Sequence, residues 1–212
     1  MFVKRYMTPN PVTMFPDTSI SEALTTMRTK GFRHIPVVNQ EGLLLGIVSQ
    51  TDLLKVSPSP ATSLSIWELN YLIAKMTIAD AMVQKVVTIK PEATVEEAAI
   101  LLRGNKIGSL VVIDDHKRVV GILTETDIFD AFLAALGSGS GGARLVVKCD
   151  DHPGSLSRIA QILAERNINV KSLTTFPAEE GKGFLVFRLE CDELQNLLTL
   201  LESAGLEVVS AG

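Results

Sequence analysis

The first two-thirds of the chain is a tandem repeat without gaps, in which residues of one copy recur 75 positions later (7 and 82, 52 and 127). The recurring residues include Met7 and Met82, Gly46 and Gly121, and Asp52 and Asp127. A fixed period of this length predicts one supersecondary unit built twice. Because neither unit can bury its apolar side alone, we expect the two units to pack face to face and to form two equivalent clefts.

The composition is that of an ordinary globular protein of one or two domains, with 212 residues, 46% of them apolar and 21% charged. The net charge of −4 is not concentrated in any segment, so the basic footprint of a nucleic-acid-binding protein is missing. No apolar run reaches the length of a membrane span, and the first residues lack the apolar region of a signal peptide. We therefore expect a cytoplasmic protein with no nucleic-acid and no membrane partner.

The cysteines and histidines do not form a catalytic or metal-binding pattern. Cys149 and Cys191 have no CxxC spacing and no neighbouring histidine, which favours buried thiols over a zinc site. A disulfide between them stays open, although a cytosolic environment argues against it. His34, His116 and His152 are scattered, and no nucleophile–base pair is visible. The sequence predicts no metal, no catalytic cofactor and no enzyme activity.

Each repeat predicts the element order β-α-β-β-α. We expect strands over residues 11–14, 35–38 and 43–48 and over 86–89, 110–113 and 119–123, with turns at 39–42 and 114–117. The first helix of each copy begins with a capping-box pattern, Ser19 to Glu22 and Thr94 to Glu97. Gly31 is expected to end the first of these helices. A closing helix starts near residue 52 in one copy and near residue 127 in the other.

Two segments have the composition of linkers. Residues 57–63 are rich in Ser and Pro and precede an amphipathic helix predicted over residues 64–76. That helix carries Trp67, which we expect to pack across the junction between the repeats. The glycine-serine run at 137–142 indicates a flexible linker. The expected domains are residues 1–56, 80–136 and 143–212, joined by residues 57–79 and 137–142.

The C-terminal segment has a different pattern, β-α-β-β-α-β, which is the ferredoxin-like arrangement. We expect strands over 145–149, 169–175, 184–189 and 207–209 and helices over 155–166 and 192–203. The second helix is predicted to begin with a capping box from Asp192 to Gln195 and to stop at Gly205. The fold class is therefore α+β.

The recurring strings resemble the CBS domain, and a pair of copies resembles the Bateman module, which senses adenosyl ligands. The resemblance is carried by Gly46 to Asp52, Gly121 to Asp127 and Arg33 to Val38. The tail resembles the amino-acid-sensing ACT domain through Asp151 to Leu156 and Asn167 to Val170. The order CBS, CBS, ACT is similar to the bacterial acetoin-utilisation family. It implies two β-α-β-β-α units packed with pseudo-twofold symmetry and a βαββαβ ACT domain.

The resemblance also implies which residues of the CBS pair bind a nucleotide. They are Thr13, Arg33, His34, Ser49, Thr51, Asp52, Thr88, Lys106, Thr124, Thr126 and Asp127. A carboxylate accepts hydrogen bonds from ribose hydroxyls, and a Ser or Thr hydroxyl near a helix N-terminus donates to phosphate. The alternative for Ser49/Asp52 and Thr124/Asp127 is a helix start whose side chains satisfy free amides. The alternative for the strands at Thr13 and Thr88 is that their residues only pack in the core and bind no ligand.

The two clefts are expected to be unequal. Arg33 and His34 are the best phosphate ligands of the first repeat, and their counterparts Gly108 and Ser109 are uncharged. Lys106 is the candidate that replaces them in the second repeat. We expect the cleft near Arg33 and His34 to prefer a charged nucleotide tail. The alternative for Arg33 is an exposed surface cation, the commoner fate of arginine.

In the ACT part, the resemblance implies an amino-acid site formed by Asp151, Gly154, Leu156 and Asn169. Free amides at a Pro-Gly turn that opens a helix bind a carboxylate, and Asp151 would accept an ammonium group. Certain serine-binding members have a histidine where this chain has Cys149, which argues against serine. The alternative is that Pro153-Gly154 only shapes the turn.

Together these features predict a non-catalytic regulatory protein. The CBS pair is expected to sense AMP, ADP, ATP or S-adenosylmethionine, and the ACT domain an amino acid, with the two sites coupled across the hinge. We expect a homodimer, because small sheets with open edges need cover, and a regulated enzyme as partner. The alternative from another class is a constitutive scaffold that binds no small ligand.

Overall fold

The computed structural model describes residues 1–56, 75–139, 141–179, 181–191 and 193–212. The chain forms two compact units, Met1–Phe129 and Asp130–Gly212. The linker predicted at 57–63, Trp67 and most of the helix predicted over 64–76 lie outside the described residues, as does Ser140 in the run at 137–142. The domain boundaries expected from composition stay predictions.

The first unit contains the predicted β-α-β-β-α order twice. Its elements are β1 (Thr8–Pro9), α1 (Ile20–Lys30), β2 (His34–Val38), β3 (Leu44–Ser49), α2 (Gln50–Val56), β4 (Thr88–Ile89), α3 (Val95–Asn105), β5 (Ser109–Ile113), β6 (Val119–Thr124) and α4 (Glu125–Ala135), whose residues up to Phe129 belong to this unit. Short 3-10 turns at Val3–Arg5 and Ile78–Asp80 occupy corresponding positions of the two copies.

In the first unit, the predicted starts of α1 and α3 and the predicted stop of α1 are confirmed. Ser19 Oγ accepts a hydrogen bond from the Glu22 amide at 3.2 Å, and Thr94 and Glu97 form a complete reciprocal capping box. These bonds satisfy amides that the first turn of a helix leaves without an intrahelical partner. Gly31 ends α1 in the left-handed region with φ 75°, a conformation that costs glycine nothing because it has no β-carbon.

The strands pair as the hairpin pattern predicts, but the first strand of each copy is shorter than expected, and the one expected over residues 86–89 covers only Thr88–Ile89. β2 pairs antiparallel with β3, and β5 with β6, so that the counterparts His34↔Ser49 and Ser109↔Thr124 lie opposite each other. β4 pairs parallel with β5. The strand expected over residues 11–14 is wrong in extent, because only Met14 forms a bridge there, with Val37.

The start of each repeat is built into the other repeat. β1 of the first copy pairs with β6 of the second, and Val83 of the second copy forms the corresponding bridge with Ile47 of the first. The Val95 amide donates to the Met1 carbonyl, and its counterpart, the Ile20 amide, donates to the Met76 carbonyl. The packing units therefore differ from the sequence repeats, because each one includes the first segment of the other copy.

The two hairpin turns meet on the pseudo-twofold axis. Leu43 and Arg118, which are counterparts in the repeat, form an antiparallel bridge with each other. The Leu44 amide donates to the Lys117 carbonyl, and the Val119 amide donates to the Gly42 carbonyl. This contact and the exchanged segments hold the two repeats face to face, as the repeat pattern predicts. One buried core cluster consists of seven residues of the first repeat and one from the start of the second: Ile20, Ala23, Met27, Ile35, Val37, Val48 and Leu53, with Ile78.

The second unit confirms the ferredoxin-like order. Its elements are β7 (Ala143–Asp150), α5 (Ser155–Glu165), β8 (Asn169–Pro177), β9 (Lys182–Glu190), α6 (Leu194–Ser203) and β10 (Glu207–Ala211). The strands form an antiparallel sheet in the order β10-β7-β9-β8. Its core consists of Leu145, Val147, Ile159, Leu163, Leu185, Phe187, Leu189, Leu197 and Leu201.

The last helix begins later than expected. α6 starts at Leu194, and its N-cap residue Glu193 makes no side-chain capping bond, while the predicted capping residue Asp192 lies outside the described residues. The stop at Gly205 is confirmed, because this residue has φ 73° and its amide donates to the Glu202 carbonyl at 2.8 Å. Among the helices of the described ranges, none is both long and apolar enough to cross a bilayer.

Candidate functional site

A cavity of about 570 Å³ lies between the two repeats of the first unit. It is lined by Thr8, Asn10, Pro11, Val12, Gly31, Phe32, Arg33, His34, Ser49, Gln50, Thr51, Gly108, Ile122, Thr124, Glu125 and Thr126. The walls come from the ends of β2 and β3, the start of α2, and the corresponding β6–α4 junction of the second repeat. The cavity is of the size that small-molecule sites have, several hundred Å³.

The structure brings part of the predicted nucleotide site together. Six of the predicted residues line the cavity: Arg33, His34, Ser49, Thr51, Thr124 and Thr126. The other five, Thr13, Asp52, Thr88, Lys106 and Asp127, are not among its lining residues. Both repeats contribute hydroxyl groups to the same cavity, because the pseudo-twofold axis places the two strand–helix junctions next to each other.

The two motif carboxylates cap their own helices. Asp52 Oδ2 accepts hydrogen bonds from the amide and the hydroxyl of Ser49, at 3.1 and 2.6 Å. Asp127 Oδ2 accepts the same two bonds from Thr124, at 2.7 and 2.8 Å. The helix-start alternative is thus present in both repeats. Asp52 Oδ1 lies 4.0 Å from Lys55 Nζ, and the carboxylate side chain of Asp52 is 28% exposed.

Two threonines of the predicted nucleotide site, Thr13 and Thr88, do not line this cavity. Thr13 is exposed, whereas its neighbour Val12 lines the cavity between the repeats. Thr88 lies in β4 and lines a second cavity of about 470 Å³, which belongs to the second repeat alone. That cavity is largely apolar and lies beside α3, with Ile100 and Leu101 on its wall.

Lys106 is the residue that ends α3, as its counterpart Gly31 ends α1. It ends α3 in the left-handed region with φ 55°, at the position that Gly31 occupies after α1. The same replacement occurs in the hairpin turns, where Lys117 has φ 61° and its counterpart Gly42 has φ 79°. The second repeat therefore contains lysines at two positions where the first repeat has glycines suited to that conformation.

An imidazole and a carboxylate come close together at the cavity wall. A β-carbon on Gly108 would lie 3.6 Å from His34 Cε1 and 3.8 Å from Glu125 Oε2, so an imidazole of one repeat and a carboxylate of the other both approach this glycine. Burial and the neighbouring Arg33 guanidinium lower the pKa of His34 below its ordinary value, and Asp52 and Glu125 act in the opposite direction.

Sequence reasoning missed two lining residues of the motifs, Gln50 and Glu125. Gln50 and Glu125 occupy corresponding positions directly after Ser49 and Thr124, and both line the cavity. The Gln50 amide donates to the Arg33 carbonyl at 2.9 Å, and the Glu125 amide donates to the Gly108 carbonyl at 3.3 Å. The signal was available, since the repeat offset pairs these residues, but only the Ser/Thr and Asp positions of the motif were weighed.

The predicted ACT site residues lie around one turn and one strand end. Gly154 has φ 99° and precedes α5, and Leu156 is 41% exposed. The Asp151 amide donates to the Gly181 carbonyl at 2.9 Å, and its side chain is exposed. Asn169 Nδ2 donates to Glu190 Oε2 at 3.4 Å, so a ligand that used this amide group would compete with Glu190.

Cys149 and Cys191 are both free thiols. Both thiols are half-buried rather than fully buried. Burial raises the pKa of Cys149, and the carboxylates of Asp150 and Asp151 raise it further. Within the described part of the chain, no group of three or more His, Cys, Asp or Glu residues is arranged to hold a metal ion.

The sequence matches the CBS domain over residues 3–59 and 78–134, and the ACT domain over residues 143–206. Protein MJ1426 of Methanocaldococcus jannaschii is 30% identical over 157 residues, which cover 92% of its length. Inosine-5'-monophosphate dehydrogenase of the same organism is 29% identical over 55% of this chain, but the match covers only 21% of that enzyme.

Solved structures of CBS pairs match the first part of the chain. The CBS pair of protein MJ0100, in complex with 5'-methylthioadenosine and S-adenosyl-L-methionine, is 30% identical with a TM-score of 0.53 and covers 63% of this chain and 97% of that one. CBSX2 in complex with AMP is 30% identical with a TM-score of 0.53 and covers 63% and 96%. A Vibrio cholerae protein named for acetoin utilization (AcuB) is 30% identical with a TM-score of 0.54 and covers 65% and 93%.

The two matched CBS segments coincide with the two sequence repeats, and the matched ACT segment coincides with the ferredoxin-like unit. CBS and ACT domains are regulatory rather than catalytic. The chain therefore belongs to the CBS-domain family, as a tandem CBS pair followed by a C-terminal ACT domain.

Proposed function

We propose that this chain is a non-catalytic regulatory protein that binds an adenosyl ligand in the cavity between its CBS repeats. The observation that carries the proposal is the cavity itself, which both repeats line with the hydroxyl groups of their recurring motif. Two of the similar CBS pairs are described with AMP or with S-adenosylmethionine and 5'-methylthioadenosine bound. A nucleoside with a short tail fits a volume of about 570 Å³.

The lining residues supply the groups that such a ligand needs. Val12 and Ile122 offer apolar side chains for the adenine ring. Ser49 and Thr51 place hydroxyl groups on the cavity wall at the start of α2, and such groups can hydrogen-bond to phosphate oxygens or ribose hydroxyls. Asp52 is not a lining residue of the cavity, but it lies close enough to His34, which is one, to act on the pKa of that ring. Both bonds from Ser49 go to Asp52 Oδ2, so in the proposed complex Oδ1 accepts from ribose hydroxyls.

Calorimetry and thermal shift with AMP, ADP, ATP and S-adenosylmethionine test the proposal on the full chain. A ligand at 100 times its dissociation constant adds about 2.7 kcal/mol to the free energy of unfolding. The variant Asp52→Ala is expected to abolish this increase and to lose about 1 kcal/mol of stability with its capping bonds. Thr94→Ala is the matched control, since it removes a comparable helix cap outside the cavity and is expected to retain ligand binding.

The scaffold alternative corresponds to a distinct outcome of the same experiment. If none of these compounds, tested to millimolar concentration, raises the unfolding temperature of the wild-type chain, adenosyl sensing is rejected. Binding of a constitutive protein partner without any adenosyl ligand would then be the function to test.

For the second unit we propose an amino-acid effector at the turn of Asp151 to Gly154. The supporting observation is the exposed Asp151 carboxylate next to the left-handed Gly154 that opens α5, which places free amides and an acceptor side by side. Calorimetry with the twenty amino acids tests it, and Asp151→Asn is expected to remove the binding. Binding that leaves the adenosyl affinity unchanged would contradict coupling of the two sites.

We also propose that the chain is a homodimer in the cytoplasm and regulates an enzyme partner. β8 lies at the edge of its sheet, and it exposes Val170, Leu173 and Phe176. An exposed edge strand with apolar side chains favours pairing with another chain. Light scattering at micromolar concentration is expected to give twice the mass of 22.9 kDa, and a monomer would contradict the proposal.

A further inference from the structure

The lining of the cavity between the repeats carries charges of both signs, because the two repeats differ at the residues that line it. The first repeat contributes Arg33 and Gln50. At the corresponding positions the second repeat contributes Gly108 and Glu125. The first repeat thus supplies the positive group, Arg33, and the second repeat supplies the negative group, Glu125.

Arg33 is the one fixed positive charge among the described residues that line the cavity. His34 faces Arg33, Asp52 and Glu125, and burial lowers the pKa of its ring, so the imidazole adds little positive charge at neutral pH. The Glu125 carboxylate stands across Gly108 from that ring, with the β-carbon position of Gly108 at 3.8 Å from Glu125 Oε2. Asp52 adds a second carboxylate close by.

This charge pattern is a poor match for a polyphosphate. A nucleotide tail with two or more negative charges meets one guanidinium and is repelled by Glu125 and Asp52. A tail that carries a cation and a carboxylate places its cation near Glu125 and its carboxylate near Arg33, so that both charges of the ligand are paired.

We propose that Glu125 is a specificity-determining residue, which makes this cavity prefer an adenosyl ligand with a zwitterionic, cation-bearing tail, such as S-adenosylmethionine, to AMP, ADP or ATP. The inference rests on the proposed function, since it names the ligand class of the same cavity. Glu125 acts through its charge and takes part in no reaction.

Titration calorimetry of the full chain at pH 7.5 tests the preference. The ligands are S-adenosylmethionine, S-adenosylhomocysteine, which lacks the sulfonium charge, and AMP. The wild-type chain is expected to bind S-adenosylmethionine at least 10-fold more tightly than AMP and several-fold more tightly than S-adenosylhomocysteine. Glu125→Gln is expected to weaken S-adenosylmethionine binding several-fold and to tighten AMP binding several-fold. The change is no larger because Glu125 is exposed and solvent screens its charge.

Two further variants make the result specific. Glu41→Gln removes the same charge from an exposed hairpin residue that does not line the cavity, and it is expected to leave the ratio of the two affinities unchanged. Gln50→Glu adds a carboxylate at the counterpart of Glu125, where Gln50 is exposed. It is expected to weaken AMP binding further, while S-adenosylmethionine still binds. This second cavity variant keeps the test valid if Glu125→Gln does not fold.

The outcomes separate this inference from the proposed function. AMP or ATP binding more tightly than S-adenosylmethionine to the wild-type chain overturns the inference and leaves adenosyl sensing standing. An affinity ratio that neither Glu125→Gln nor Gln50→Glu changes also overturns it. Failure of every adenosyl compound to bind overturns the proposed function itself.

Discussion

The side chain of Met82 packs against the α-carbon of Gly46, so that a β-carbon on residue 46 would lie 2.9 Å from Met82 Sδ and 3.0 Å from the Val83 carbonyl oxygen. Gly121 stands in the same relationship to Met7. The glycine of each motif thus contacts the methionine near the start of the other repeat. Two separate positions of the recurring pattern, a methionine and a glycine, therefore form one contact between the copies.

The substitution Gly46→Ala is therefore expected to destabilise the first unit by about 1–3 kcal/mol, because the carbonyl of Val83 cannot move as a flexible side chain would. Chemical denaturation monitored by circular dichroism measures the change. Gly104→Ala is the matched control, since Gly104 lies within α3 with no atom near its β-carbon position, and it is expected to stabilise by roughly 0.5–1 kcal/mol. Equal effects of the two variants would contradict the contact.

Replacing Lys106 with glycine is expected to raise the free energy of unfolding by about 0.5–1 kcal/mol. The left-handed conformation at the end of α3, with φ 55°, is costly for a residue with a β-carbon and free of that cost for glycine. Lys117→Gly, with φ 61° in the native turn, is expected to act in the same direction. A loss of adenosyl affinity in Lys106→Gly with unchanged stability would instead support a ligand-binding lysine.

The stability of the first unit is expected to depend on the protonation of His34. Burial, followed by Arg33, lowers the pKa of this imidazole below its ordinary 6.5, so the unfolded chain takes up the proton more readily than the folded chain. The stabilisation due to the neutral ring is complete above pH 6.5 and is lost as the pH falls towards the folded-state pKa.

The test is the unfolding temperature of wild type and His34→Gln between pH 7.5 and 5. The wild-type chain is expected to lose more stability than the variant over this interval. Parallel curves for the two proteins would show that His34 does not contribute to the acid sensitivity.

The thiol of Cys149 is expected to react slowly with iodoacetamide near pH 8. Burial raises its pKa, and the carboxylates of Asp150 and Asp151 raise it further, which lowers the fraction of reactive thiolate. In a Cys191→Ser background, Asp151→Asn is expected to speed alkylation, whereas Asp17→Asn, which removes an exposed carboxylate from the first unit, leaves the rate unchanged. An Asp151→Asn rate equal to that of its parent contradicts this electrostatic account.

Local signals in the sequence predicted local structure well. The caps at Ser19 and Thr94, the stop at Gly31 and both hairpins depend on residues a few positions apart, and each pattern has one physical reading. The strand expected over residues 11–14 was wrong in extent because its partners are not local. Pro11 lacks an amide to donate, and only Met14 reaches Val37.

The candidate site could be predicted only in part. Ser49 and Thr124 were found because the motif repeats, and Arg33 was found through the family resemblance of the string Arg33 to Val38. The three residues line one cavity. Glu125 was missed because its role depends on the neighbour that the twofold arrangement gives it, which is Gly108 of its own repeat and His34 of the other. The repeat offset pairs Glu125 with Gln50, but its approach to His34 of the other repeat follows only from tertiary packing.

The exchange of first segments between the repeats has a consequence for any attempt to divide the chain. A fragment that ends at Val56 keeps β1 but loses β6, the strand with which β1 pairs, and a fragment that begins at Lys75 leaves Val83 without Ile47. The first segment of each half has its pairing partner only in the other half. The two halves are therefore expected to become ordered when they are mixed, and to remain poorly ordered when each is produced alone.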